Sequence, residues 1–324
     1  MYNNIKLDKS LYKLSGKSFT QALSEMDPDA AYAGTELEGL DAFERQLKRF
    51  NIKVSGDDCD IVDKFFTCSE SAVLFPEYIR RAILSGMQSP VLDEVVAVDS
   101  IATATDYRGF TVTLVGDAPY STLTNEGAAL PETKITQSAA ITPSKLGRVI
   151  STSYEAIRYQ KLELFACTLR SIGAQLGNEI TKIGINTLVT GASTVSGTSG
   201  GFTFADLLAL YQAFANYDLT TLVASPATCA ALLALSQLSE ATSDDGGESV
   251  KLPFGPTLFK AKAYTGTGVI GIDRKFALEM ITQGGIILET DKLIDKQLDR
   301  IAVSVGICFK KVIDDAVKVL TYTE

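Results

Sequence analysis

The chain has 324 residues, 46% of them hydrophobic and 21% charged, with a formal net charge of −9 and a pI near 4.8. That length supports a sizeable core in one large or two smaller domains, while the acidic balance argues against a sequence-independent grip on nucleic acid, which needs a basic face. Histidine is absent, which removes Ser-His-Asp and Cys-His triads, histidine-ligated zinc and histidine general bases.

No apolar run approaches the roughly 18 residues needed to span a bilayer, so no membrane partner is expected. MYNNIKLDKSLYKL has no apolar stretch behind its lysines and does not read as a secretory signal. Cys59, Cys68, Cys167, Cys229 and Cys308 form no C-x-x-C pair. They are expected to be small buried hydrophobes with free thiols.

In chain order, Lys17 to Met26 can form a short helix with Phe19, Leu23 and Met26 on one side. A second amphipathic helix is predicted from Leu37, Leu40, Phe43, Leu47 and Phe50, spaced by three and four residues, with Glu38, Asp41, Glu44, Lys48 and Arg49 opposite. Its stripe either caps its own core or packs on an adjacent subunit. The polar break SGDDCD (55–60) favours the second reading, a detached arm over residues 1–70.

LFPEYIRRAILSGM (74–87) predicts a helix with Pro76 in its first turn and Ile79, Ile83 and Met87 buried; Arg80 and Arg81 read as solvated charges or intersubunit ion pairs. Extended sequence follows at 95–98 and 110–115, and again from 135 to 152. The turn GDAPY and the tip NEGAALPE join the last two runs into a long hairpin. Its sides are dominated by Thr, Ser and Gln, with too few large apolar residues to be buried in a monomer core.

Residues 162–189 predict a single helix. Leu162, Phe165, Leu169, Ile172, Leu176, Ile180, Ile183 and Leu188 line one side, and about 28 residues at ~1.5 Å each give roughly 40 Å. Gly173, Gly177 and Gly184 spoil a coiled-coil seam and instead suit the close approach of a sheet or another helix. GASTVSGTSGG (191–201) reads as a linker and domain boundary. Beyond it the texture is α/β: helix FTFADLLALYQAFA, strand LTTLVA, helix SPATCAALLAL capped by Ser225, an exposed loop TSDDGGES, then several short strands.

Chemical motifs are few. Gly266 to Gly271 spell G-x-G-x-x-G, but a dinucleotide fingerprint must open a helix, and these glycines lead into the strand VIGI. A nucleotide-binding enzyme built on that loop is the alternative from a different class. Gly16-Lys17-Ser18 imitates the end of a P-loop, yet Leu11 occupies the leading glycine position. Asp57, Asp58 and Asp60 lack the glycine and distal glutamate of a calcium loop. No cofactor, metal or catalytic residue is expected.

Five segments in order carry a resemblance: Asn125-Glu126-Gly127 with Leu130-Pro131-Glu132; Ser153-Tyr154-Glu155-Ala156-Ile157-Arg158 before the long helix; the helix itself; Ala224-Ser225-Pro226-Ala227-Thr228; and the ending LDRIAVSVGICFKKVIDDAVKVLTY. Together they resemble the major capsid proteins of tailed bacteriophages, the Hong Kong 97-type fold. The resemblance implies an α+β chain with an N-terminal arm (1–70), the start of a peripheral domain (71–105), an extended hairpin loop (106–152) and a spine helix with linker (153–201). It further implies an axial domain (202–272), peripheral strands (273–309) and an axial C-terminal strand (310–324).

Its implied function is a non-enzymatic head protein of a phage or prophage. Such subunits form pentamers and hexamers of an icosahedral shell that encloses double-stranded DNA without reading its sequence. Assembly would occur in the bacterial cytoplasm, and scaffold, portal, protease or decoration proteins of the same phage are further implied partners. Leu37, Leu40, Phe43, Leu47 and Phe50 would be assembly contacts, as would Asn125, Glu126, Gly127, Leu130, Pro131, Glu132, Lys134, Glu155 and Arg158. An encapsulin-like nanocompartment is the alternative within the fold, and a tail or baseplate protein a third reading. Some family members are cross-linked by a lysine–asparagine isopeptide bond aided by a glutamate. Here Leu130 occupies the position of the loop lysine and Ile301 to Gly306 contain no carboxylate, so non-covalent assembly is expected.

Overall fold

The computed structural model describes residues 5–13, 17–115, 126–127, 132–238, 242–243, 249–293 and 298–322. Its helices are α1 (Phe19–Met26), α2 (Ala42–Arg49), α3 (Ser69–Ala72), α4 (Phe75–Met87), α5 (Pro90–Val95), α6 (Tyr154–Arg158), α7 (Leu162–Val189), α8 (Phe204–Ala213) and α9 (Pro226–Leu233). The strands begin with β1 (Val96–Ile101), β2 (Phe110–Val115), β3 (Glu132–Gln137), β4 (Ser144–Ser153), β5 (Ser193–Ser196), β6 (Thr221–Ala224) and β7 (Thr242–Ser243). They continue with β8 (Ser249–Lys251), β9 (Thr257–Lys260), β10 (Val269–Ile272), β11 (Leu278–Thr282), β12 (Ile287–Leu293), β13 (Leu298–Lys311) and β14 (Val317–Thr321). The chain divides into two compact units, one of residues up to 88 with 147–177 and 286–304, the other of 89–146, 178–285 and 305 onward.

In the first unit the helices start where the sequence supplies caps. Ser18 accepts from the Gln21 amide to open α1, and Asp41 accepts from the Glu44 amide to open α2, each completing a reciprocal capping box. The Asp41 cap explains why the predicted second helix begins late. Leu37 and Leu40 precede it in turns, and Gly39 adopts φ +82°, a left-handed conformation that favours glycine. Pro76 sits in the first turn of α4, and Ile79 and Ile83 are fully buried.

The N-terminal segment is part of this unit and not a detached arm. Thr20 Oγ1 donates to Glu77 Oε1 (2.6 Å), Tyr12 OH donates to the Val73 carbonyl (2.7 Å), and Arg49 donates to the Ile5 carbonyl. The polar stretch 55–60 does not separate it either, because Leu162 N donates to the Asp60 carbonyl and Val62 N to the Gln160 carbonyl, both at 2.9 Å. A single chain therefore satisfies backbone groups that an isolated arm would leave to water or to a neighbour.

The helix α4 lies against the first part of α7 with their backbones touching. An ideal Cβ at Gly173 would stand 2.1 Å from the Ile83 carbonyl oxygen, and one at Gly86 would stand 2.0 Å from that of Arg170. Gly177 meets Met87 in the same way, at 2.6 Å. Leu162, Leu169 and Leu176 of the predicted stripe are buried, and an aromatic group of Phe65, Phe75, Tyr78 and Phe165 closes this end. Each fully buried large side chain contributes roughly 1.5–3 kcal/mol. Residues 298–304 of β13 pair antiparallel with β12, from Ile287↔Ser304 to Leu293↔Leu298.

The second unit contains a seven-stranded sheet in the order β5-β14-β10-β6-β9-β8-β7. Its buried cluster includes Leu207 and Leu210 of α8, Cys229 and Leu232 of α9, and Leu222, Leu258, Val269 and Leu320 from the strands. Ser225 caps α9 as expected. The segment read as a linker is partly ordered sheet: Ser193–Ser196 pair in parallel with Lys318–Thr321, and Val195 packs on the buried cluster. The expected loop TSDDGGES lies mostly outside the described residues; its first two form β7 and Ser249 begins β8. Elsewhere in this unit β11 lies between β1, which is parallel to it, and residues 307–311 of β13, which are antiparallel.

Candidate assembly surface

The second unit also carries a two-stranded sheet formed by β2 and β3 alone, in antiparallel register from Phe110↔Gln137 to Val115↔Glu132. All six residues of β3 are exposed. Pleating places Phe110 and Ile135 on one face, and they are 71% and 65% exposed. An isolated two-stranded ribbon is marginal in water, and two large apolar side chains exposed on one face make it a candidate contact surface.

The ribbon is fixed at its root. Tyr107 and Ile141 exchange two backbone hydrogen bonds at 2.8 Å, and Ser138 N donates to the Gly109 carbonyl at 2.9 Å. Lys310 Nζ donates to the Phe110 carbonyl at 2.5 Å. Beside them Glu279 accepts from Ser100 Oγ at 2.6 Å and from Tyr107 OH. The carboxylate as acceptor pushes the Tyr107 hydroxyl above its ordinary pKa, and burial holds the Lys310 ammonium below its own.

Of the residues expected at the tip, Glu126, Gly127, Glu132 and Lys134 are exposed, and Gly127 takes φ +82° in a turn. Lys134 stands opposite Thr113 in the ladder. Asn125, Leu130 and Pro131 lie outside the described residues. Glu155 falls in α6, and Arg158 is exposed at its end, 3.9 Å from Asp63 and over the Phe66 ring.

The apolar stripe of residues 37–50 needs correction. Leu37, Phe43 and Leu47 are buried within their own chain, and Leu40 and Phe50 are partly covered, so the stripe caps this unit's own core. The arginines of α4 are likewise internal. Arg80 Nε and Arg81 Nε reach the buried Glu77 carboxylate at 3.0 and 3.1 Å, and Arg81 lies over the Phe43 ring. Two of the five cysteines are also misread. All are free, but Cys68 and Cys167 are exposed, Cys68 serving as the N-cap of α3.

Sequence reasoning missed Arg45, whose side chain is 1% exposed. It donates to Asp27 Oδ2 (2.9 Å), Asp29 Oδ1 (2.8 Å) and two backbone carbonyls, and lies over the Tyr32 ring. Burial works against its charge, but Asp27 and Asp29 outweigh it and raise its pKa. Nothing in the periodicity marks a buried cation. An available hint is Asp27 and Asp29, two carboxylates in the loop between the helices.

Gly266 to Gly271 open β10, as the sequence indicates, and the glycines are filled by neighbours: a Cβ at Gly271 would press on Leu219, Phe214 and Leu210. Among the described residues, no cluster of three or more His, Cys, Asp or Glu side chains could hold a metal, and no helix is long and apolar enough to cross a membrane.

The fold as a whole is similar to those of solved shell proteins. The capsid of the native GTA particle matches with a TM-score of 0.57 at 13% identity, over 73% of this chain and 91% of that one. Microbacterium phage Oxtober96 gives 0.53 at 11% identity, over 72% and 91%. The holo-SrpI encapsulin complex of Synechococcus elongatus gives 0.51 at 15% identity, over 73% and 90%. The chain therefore has the α+β capsid fold of the Hong Kong 97 type. Residues 136–288 match the family model described as phage capsid protein, and no curated protein matches. Over those residues the chain is similar to phage capsid proteins, and it shares the fold of the solved capsid structures.

Proposed function

We propose that the subunits form pentamers and hexamers of a closed icosahedral shell around double-stranded DNA, with the β2–β3 ribbon laid on an adjacent copy. The exposed ribbon carries this reading. Its apolar face has no cover in the described chain, and covering it with a sister molecule gains both burial and effective concentration, since a subunit held by several neighbours dissociates from none of them independently. Residues 202–272 with 310–324 would surround the capsomer axis. The spine helix, residues 71–105 and strands 273–309 would form the periphery. Glu126, Glu132, Lys134 and Arg158 are exposed and suit polar contacts at the rim of such an interface.

A net charge of −9 suits a container, because a wall that gripped its contents tightly would impede filling and release. The chain would act without chemistry of its own, in the virion, after assembly in the host cytoplasm. Scaffold, portal, protease or decoration proteins would be its partners there.

Negative-stain microscopy of the overexpressed chain tests this directly. Hollow spheres are expected. Single chains at every concentration would contradict it, tubes or discs would favour a tail component, and spheres filled with a specific protein and free of nucleic acid would favour a nanocompartment. Boiled shells run on a denaturing gel should give one band at 34.7 kDa. A ladder of multiples would show covalent joining.

A further inference from the structure

We infer that Glu279 is a positioning residue for assembly: buried in β11, it clamps the root of the β2–β3 ribbon and sets how the ribbon leaves the second unit. The inference rests on the reading of the ribbon as the assembly contact. Glu279 lies opposite Val98 of β1 and Lys310 of β13, and only 9% of its surface reaches solvent. A carboxylate at such a sheet position is unfavourable unless its oxygens are occupied, and here they face the ribbon's root. One oxygen accepts from Ser100 Oγ and Tyr107 OH. The other faces Gly109, where an ideal Cβ would stand 3.3 Å from it and 2.9 Å from Lys310 Nζ. Lys310 in turn holds the Phe110 carbonyl.

The chain thus enters the ribbon through Tyr107, Gly109 and Phe110, each touched by Glu279 or Lys310. It returns through Ser138 and Ile141, hydrogen-bonded to Gly109 and Tyr107. Among the described residues, the apolar packing at this root is small. Its partly buried apolar neighbours are Tyr107 and Ile141 themselves, packed on the small cluster of Ala102, Ile281 and Cys308. With so little apolar cover, the polar cluster decides whether the root is rigid, and a rigid root spares a docking ribbon the entropy of being ordered on contact.

Amide hydrogen exchange on the full chain, read beside particle yield, tests this. Glu279→Ala should speed exchange at Tyr107, Ser138 and Ile141 by about tenfold or more, leave β6, β10 and β14 as slow as before, and cut the yield of closed particles about tenfold. Glu279→Gln keeps an acceptor for Tyr107 and Ser100 and should restore most of both. Root amides that stay slow in Glu279→Ala overturn the clamp. Fast root amides with normal particle yield overturn its part in assembly. Failure of the unaltered chain to form particles would count against the ribbon reading, while the amide comparison still decides the clamp. Should Glu279→Ala not fold, Tyr107→Phe removes one of the two hydrogen bonds, and the same amides decide.

Discussion

Arg45→Met is expected to destabilise the first unit by about 3–5 kcal/mol, the usual consequence of breaking a buried ion pair from one side. Methionine keeps the length and much of the apolar stem, so the loss isolates the charge. The buried carboxylate of Asp27 would lose the guanidinium 2.9 Å away that balances it, and the Asp27 and Leu40 carbonyls would each lose a donor. A control sits nearby. Lys17 and Glu25 form a 2.6 Å pair, but both side chains are about half exposed or more, and such pairs contribute about 0–1 kcal/mol. Urea melts of the unassembled chain should therefore show a large loss for Arg45→Met and almost none for Lys17→Met. Equal, small shifts in both would mean that water reaches Arg45.

Gly173→Ala should cost about 2 kcal/mol or more, although alanine is the better helix former by about 1 kcal/mol. The new methyl group would meet the Ile83 carbonyl oxygen at 2.1 Å and the Gly86 Cα at 3.1 Å. Backbone cannot rotate aside, so α4 and α7 must part, and overpacking of this kind typically costs about 1–3 kcal/mol, occasionally more. Gly86→Ala forces the same separation from the other side. The double variant should then lose less than the sum of the two single losses, because one displacement relieves both clashes. The same melts measure it. A neutral Gly173→Ala would show that the helices are not in backbone contact.

These two sites mark the limits of what the sequence disclosed. Glycines 173 and 177 in a long amphipathic helix announced that something approaches closely, but periodicity could not say that the partner is α4. The ribbon was legible only in part: β-forming residues flank a turn-rich tip, but the second run read as 135–152 stops pairing at Gln137, and Ser144–Ser153 form a separate strand, β4, that pairs with β13. The stripe at residues 37–50 misled for a physical reason. A period of three to four residues shows that one face seeks cover, and it says nothing about whether the cover comes from the same chain.

Asp41 supplied the overlooked signal, since a capping box starting there shortens the helix and leaves Leu37 and Leu40 to turns. Arg45 and Glu279 were invisible for a related cause. A buried charge is set by partners distant in sequence, such as Asp27 at 18 residues and Tyr107 at 172. Ser193–Ser196 read as a linker because the segment is short and rich in small residues. It becomes a strand only through the edge offered by β14, more than a hundred residues later.

What distinguishes this chain is a strand pair whose Phe110 and Ile135 stand uncovered among the described residues. Amide exchange across residues 132–137, measured on dispersed chains and again on closed particles, addresses that most directly. Fast exchange in the dispersed form and strong protection in the particle are predicted; equal protection in both forms would mean the ribbon is already covered at home, and would contradict the account.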